Sequence, residues 1–188
     1  MSWDEQSKAF QECWKNVKAQ YQAGFCVSER GLQSDLVCAL RQSFPSRRVV
    51  VEPQWKSSDG KVCIPDLVML DDNKITDVFE LKYAPHWYVN FRGDIQKLSD
   101  YRNDKNATFR VEIDASTGTW KDARFSVCKD TSYHFVAVGK FDSEAVFPEC
   151  LVRHEDERDP FQGRLLHWYG RIGGDGEESI EWRVTPVS

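Results

Sequence analysis

Ile64-Pro65-Asp66-Leu67-Val68-Met69-Leu70-Asp71-Asp72-Asn73-Lys74-Ile75-Thr76-Asp77-Val78-Phe79-Glu80-Leu81-Lys82-Tyr83 is the stretch on which the fold turns. Two apolar runs flank the polar turn Asp71–Lys74, which predicts a pair of strands over about 62–70 and 75–83. Pro65 has no backbone donor and marks a strand start or a bulge beside Asp66. Glu80 and Lys82 are two apart, so on a strand they share a face. An exposed cross-strand ion pair on a half-solvated sheet would account for the two charges, but Val78, Phe79, Leu81 and Tyr83 leave that strand little room for a polar face, so the charges call for a purpose.

Upstream, Ser28 caps a predicted helix over Glu29–Ser43, with Leu32, Leu36 and Leu40 as its inner stripe. Glu29 lies three residues before Leu32, which places it on the buried face at the helix start. A plain favourable charge on the helix N-terminus accounts for it equally well. Val49–Glu52 reads as a strand. Asp94 caps a further helix over about 94–104, and residues 84–92 between read as an aromatic-rich loop.

Taken in order, these elements are an acid-bearing helix, a strand, a Pro-Asp strand, a turn, a Glu-x-Lys strand and a helix. Pro65-Asp66 and Glu80-Leu81-Lys82, separated by the thirteen residues between Asp66 and Glu80, resemble the motif of the PD-(D/E)XK nuclease superfamily. Glu29 looks like the first-helix glutamate of many of its members. The resemblance spans about residues 28–105 and implies an α/β, restriction-endonuclease-like fold, a mixed central sheet flanked by helices. It implies metal-dependent nuclease activity on nucleic acid, with DNA the expected substrate and Mg2+ or Mn2+ the cofactor. Asp66 and Glu80 would be the metal ligands, with the Leu81 carbonyl a third. Lys82 would be the catalytic lysine, and Glu29 would hold a water of the metal or a second ion. The chemistry agrees: magnesium takes hard oxygen ligands and keeps several waters, so one or two carboxylates suffice, and an ammonium can stabilise charge building on phosphate.

Arg92 and Lys97 are candidates for backbone phosphates, and His86 and Trp87, with Tyr88, for stacking on bases. Each also reads as an ordinary feature, solvated charges in the first case and a loop packed on the sheet in the second. His134, His154 and His167 stand at no telling spacing.

The remaining chain sets the frame. Trp3, Phe10, Trp14, Val17 and Tyr21 make one stripe of a helix over 2–22, stopped at Gly24. Strands are predicted at Phe109–Ile113, Phe135–Val138, Leu165–Ile172 and Ile180–Val184, with Gly173–Gly176 joining the last two. The 188 residues suit one domain: an N-terminal helical extension over 1–27, a catalytic core over 28–105 and a β-rich C-terminal completion over 106–188. Six scattered cysteines have no metal-ligand spacing and read as buried thiols. With no apolar run of membrane length and a polar N-terminus, a cytoplasmic protein is expected.

Net charge is −5, which argues against nucleic-acid binding. Two alternatives therefore stand beside the nuclease: a nuclease-fold module that binds nucleic acid or a protein partner without cutting, as part of a larger complex, and an unrelated β-rich interaction protein; a homodimer or larger complex is compatible with each reading.

Overall fold

A computed structural model describes residues 3–88, 92–113, 116–140, 161, 163–171 and 181–187. The elements are helices α1 (Trp3–Gln22), α2 (Glu29–Ser43) and α3 (Arg92–Asn103), and strands β1 (Arg48–Val51), β2 (Trp55–Lys56), β3 (Val62–Cys63), β4 (Leu67–Asp71), β5 (Lys74–Tyr88), β6 (Asn106–Ile113), β7 (Trp120–Lys140), β8 (Leu165–Arg171) and β9 (Glu181–Val187). The result is a mixed α/β arrangement in which, among the described residues, helices flank one mixed sheet of nine strands. Among the described residues no helix is long and apolar enough to cross a membrane.

The sheet is built around β5. On one side it pairs antiparallel with β4, which pairs antiparallel with β1. On the other side it runs parallel to the second half of β7, which is parallel to β8. The first half of β7 turns away to pair antiparallel with β6. Strand alternation then sorts side chains onto two faces. Leu67, Met69, Phe79 and Leu81 join Phe10, Trp14, Val17, Leu32, Leu36 and Leu40 of α1 and α2. Val68, Leu70 and Val78 join Leu98 and Tyr101 of α3, with Phe109, Phe125 and Phe135. Glu80 shares parity with Val78, so it faces α3.

Several expectations change. The aromatic loop over 84–92 is strand as far as Tyr88. Pro85 is tolerated because it falls in the ladder irregularity between Ala84 and Tyr88, where no donor is needed. The predicted 62–70 strand divides into β3, which pairs with β2, and β4. Helix α3 starts at Arg92, so Asp94 lies in its first turn rather than at the cap. Ser28 does cap α2, its Oγ accepting from Gly31 N at 3.0 Å. Gly24 has φ +78°, the left-handed geometry that ends a helix. The thiols are mixed: Cys13 and Cys26 are buried, Cys63 and Cys128 half-buried and Cys38 exposed, all of them free. The glycine turn at 173–176, Cys150, His154 and the acidic run over 142–159 lie outside the described residues.

Under α1, a polar network is sealed into the core. Asp77, fully buried, accepts from Arg47 Nη1 at 2.8 Å and Gln6 Nε2 at 3.1 Å, and lies 2.9 Å from His134 Nε2. Trp168 Nε1 donates to His134 Nδ1 at 3.0 Å. Nδ1 is thus an acceptor, so the proton sits on Nε2 and points at Asp77. Burial lowers the His134 pKa, which agrees with a neutral ring. Replacing Arg47 by methionine leaves the Asp77 carboxylate without its cation. A loss of about 3 kcal/mol in urea denaturation is expected, and a change near zero would show that the guanidinium is dispensable.

Candidate functional site

Antiparallel pairing sets Leu67 opposite Phe79, and one further step along the same register sets Asp66 opposite Glu80. Opposed residues share a face, so both carboxyl groups lie toward α3 at the point where β4 begins. Beyond Phe79 the β4 side of β5 has no strand partner among the described residues. Acidic side chains take its place there. Asp66 Oδ2 accepts from Leu81 N at 2.6 Å, and Glu29 Oε2 accepts from Tyr83 N at 3.2 Å. On a strand, the N–H and C=O of one residue face the same neighbour, so the Leu81 carbonyl also opens toward Asp66.

Asp66 is pinned by its own backbone. Its carbonyl accepts from Glu52 N at 3.0 Å and from Gln33 Nε2 of α2 at 3.2 Å. Glu52 reaches it from a left-handed conformation, φ +45°, uncommon for a residue with a Cβ.

The electrostatics follow from burial. Glu80 is 2% exposed and its Oε1 has no hydrogen-bond partner. Burial first, and the charge of Asp66 second, push its carboxyl from about 4.5 up to about 7, against the pull of Lys97. Asp66 is raised too, chiefly by burial and further by Glu29, while the Leu81 N–H opposes the shift. Tyr101 of α3, 2% exposed, packs beside this pair, and its phenol pKa rises through burial and then through the Glu80 charge.

Helix α3 supplies the counter-charges. Lys97 Nζ lies 3.1 Å from Glu80 Oε2 and 2.9 Å from Asp94 Oδ1. Lys82 Nζ is 3.7 Å from Asp94 Oδ2. Four carboxylates (Glu29, Asp66, Glu80 and Asp94) and two lysines therefore share one end of the sheet. Asp94 is a member that sequence reasoning missed. The i,i+3 spacing of Asp94 and Lys97 was the available signal, since it puts both on one face of α3.

Of the other candidates, Lys97 joins the carboxylates rather than standing free in solvent. Glu29 is exposed, not buried, because the first residue of α2 projects past the core; it reaches β5 from the side. His86 lies exposed on β5. The side chains of Trp87, Tyr88 and Arg92 lie outside the described residues. Phe25 and Val27, just before Glu29, are each 72% exposed, an apolar rim that no periodicity announces. Among the described residues, no group of three or more His, Cys, Asp or Glu side chains is gathered closely enough to hold a metal ion. A cleft lined by Gln6, Arg47, Lys74, Thr76 and Arg164 opens at the start of β5, away from the carboxylates, and its arginines pair with Asp77 and Asp130.

Glu80 has a testable cost. The folded protein holds its proton more tightly than the unfolded chain does, so stability falls as pH rises from about 4.5 to about 7. At full effect this is about 3 kcal/mol. Glu80→Gln should flatten that slope in urea denaturations of the metal-free protein. Equal slopes for the two proteins would place the burden elsewhere.

Comparison with protein-family models, with curated proteins and with solved structures finds no match to this chain.

Proposed function

We propose that this protein is a divalent-metal-dependent nuclease of the PD-(D/E)XK type, acting on nucleic acid, with DNA as the expected substrate. One observation carries the reading: Asp66 and Glu80, from adjacent antiparallel strands, meet on one face with coupled charges at an open strand edge. With β2, β3 and β6 set aside as insertions that pair among themselves and with β7, the order α2, β1, β4, β5, α3 and then β7, parallel to β5, supports the restriction-endonuclease-like assignment.

The donor set fits a hard cation. Glu80 keeps a buried oxygen without a partner, and two repelling carboxyl groups lie side by side. Asp66 and Glu80 would hold magnesium or manganese, with the Leu81 carbonyl adding a third oxygen. Two carboxylates, one carbonyl and retained waters meet the needs of magnesium without a third acidic ligand. When bound, the ion relieves charge on the phosphate and lowers the pKa of a water. The chain's own residues do the rest. Lys82 orients the nucleophile and stabilises charge growing on the phosphate. Glu29, fixed on Tyr83 N, would hold a water of the metal.

The test is to incubate the purified protein with plasmid, linear and single-stranded DNA and with RNA, adding magnesium or manganese. Cleavage that needs the ion and stops with a chelator is expected. Retention of nucleic acid without cleavage would favour the non-cutting module, the alternative to which the net charge of −5 lends weight.

A further inference from the structure

The Glu-x-Lys motif supplies one lysine, yet the ammonium that touches Glu80 is not that one. Lys97 approaches from α3 and bridges Glu80 Oε2 at 3.1 Å and Asp94 Oδ1 at 2.9 Å. Lys82 stands off at 3.7 Å from the other oxygen of Asp94. Asp94 is only 8% exposed, so it is a fixed point between two ammonium groups. Glu80 is nearly sealed from water, with the Tyr101 phenol as its neighbour and no second cation beside it among the described residues. The Lys97 side chain, by contrast, is 52% exposed and has room to move.

We propose that Lys97 is a built-in counterion of Glu80 that a divalent cation must displace, and that Asp94 is the carboxylate that retains it once displaced; this rests on the metal reading given above. In the metal-free protein one ammonium partly neutralises a carboxylate that would otherwise be buried with no positive charge beside it. A divalent ion on Glu80 brings two charges against that one, and ammonium and metal repel at such range. Lys97 then gives up the Glu80 contact and keeps the Asp94 contact it already has. A monovalent ion exchanges one positive charge for another and gains nothing, so the arrangement discriminates by charge. Asp94 is a positioning residue here: it touches neither metal nor substrate, and it acts through the two lysines.

The test is calorimetric titration of the intact chain with manganese, which needs no turnover. Five proteins are compared: wild type, Lys97→Met, Asp94→Asn, the Asp94→Asn/Lys97→Met pair and Asp66→Asn. Lys97→Met should tighten manganese binding by about tenfold or more, a modest share of a one-charge change at close range. Asp94→Asn should weaken it while Lys97 is present, and weaken it less once Lys97 is gone. Circular dichroism melts without metal establish that each variant is folded. If Lys97→Met does not fold, Lys97→Gln takes its place with the same expectation. Unchanged or weaker binding in the folded Lys97 variant, with binding still abolished by Asp66→Asn, overturns the proposal and leaves the metal site standing. Manganese binding that is absent, or indifferent to Asp66→Asn, overturns the metal reading and this proposal with it.

Discussion

Replacing Lys82 by alanine is expected to slow phosphodiester cleavage by about a hundredfold or more and to leave the fold almost unchanged. The separation of the two effects comes from where the side chain sits. Lys82 shares a face with Glu80, but its side chain is 40% exposed and its nearest acid, Asp94, is 3.7 Å away. That is beyond hydrogen-bond range, and so loose a contact to a solvent-reaching ammonium is worth less than about 1 kcal/mol. The ammonium therefore contributes little to folding and is free to meet phosphate. Arginine should not rescue the variant, because a planar fork differs from a point charge in both reach and geometry. Unchanged turnover in Lys82→Ala would remove it from the machinery and leave Lys97 as the lysine to examine.

The second large effect concerns heat and metal together. At the proposed metal site manganese would bind only the folded protein, so the melting temperature should climb with its concentration; at a hundredfold excess over Kd the gain is about 2.7 kcal/mol. For a chain of this size that amounts to roughly 5–10 °C. The Asp66→Asn/Glu80→Gln double variant should show no climb. Without metal at pH 7.5 it should melt above wild type, because the desolvation and repulsion that raise both carboxyl pKa values are gone. If manganese shifts both proteins alike, the carboxyl pair is not a metal site and the non-cutting module becomes the better account.

Much of this architecture can be read from local pattern. Helix α2 and its Ser28 cap follow from a leucine stripe and a hydroxyl, and the β4–β5 hairpin follows from two apolar runs around Asp71–Lys74. The opposition of Asp66 and Glu80 follows from strand parity alone. What escaped is what depends on distant partners. Strand β7 extends back to Trp120 through Lys121, Asp122 and Arg124, polar residues that are extended because β6 lies beside them. Asp77 reads as an anomaly in an apolar strand until Arg47 and His134 close on it. The roles of Asp94 and Lys97 required knowing that α3 lies over β5, and the exposure of Glu29 required knowing that the first residue of α2 projects past the core to reach Tyr83 N, which helical phase near an end does not reveal.

The carboxylates that cover Leu81 N and Tyr83 N also bear on how copies of this chain behave together. A strand whose amides face solvent is a template on which a second molecule can extend the sheet. Here that margin is closed by negative charge rather than by more backbone, and two such margins repel. Crowded, acidified solutions, in which Asp66, its pKa raised by burial, loses its charge, are where self-association through β5 should first be seen.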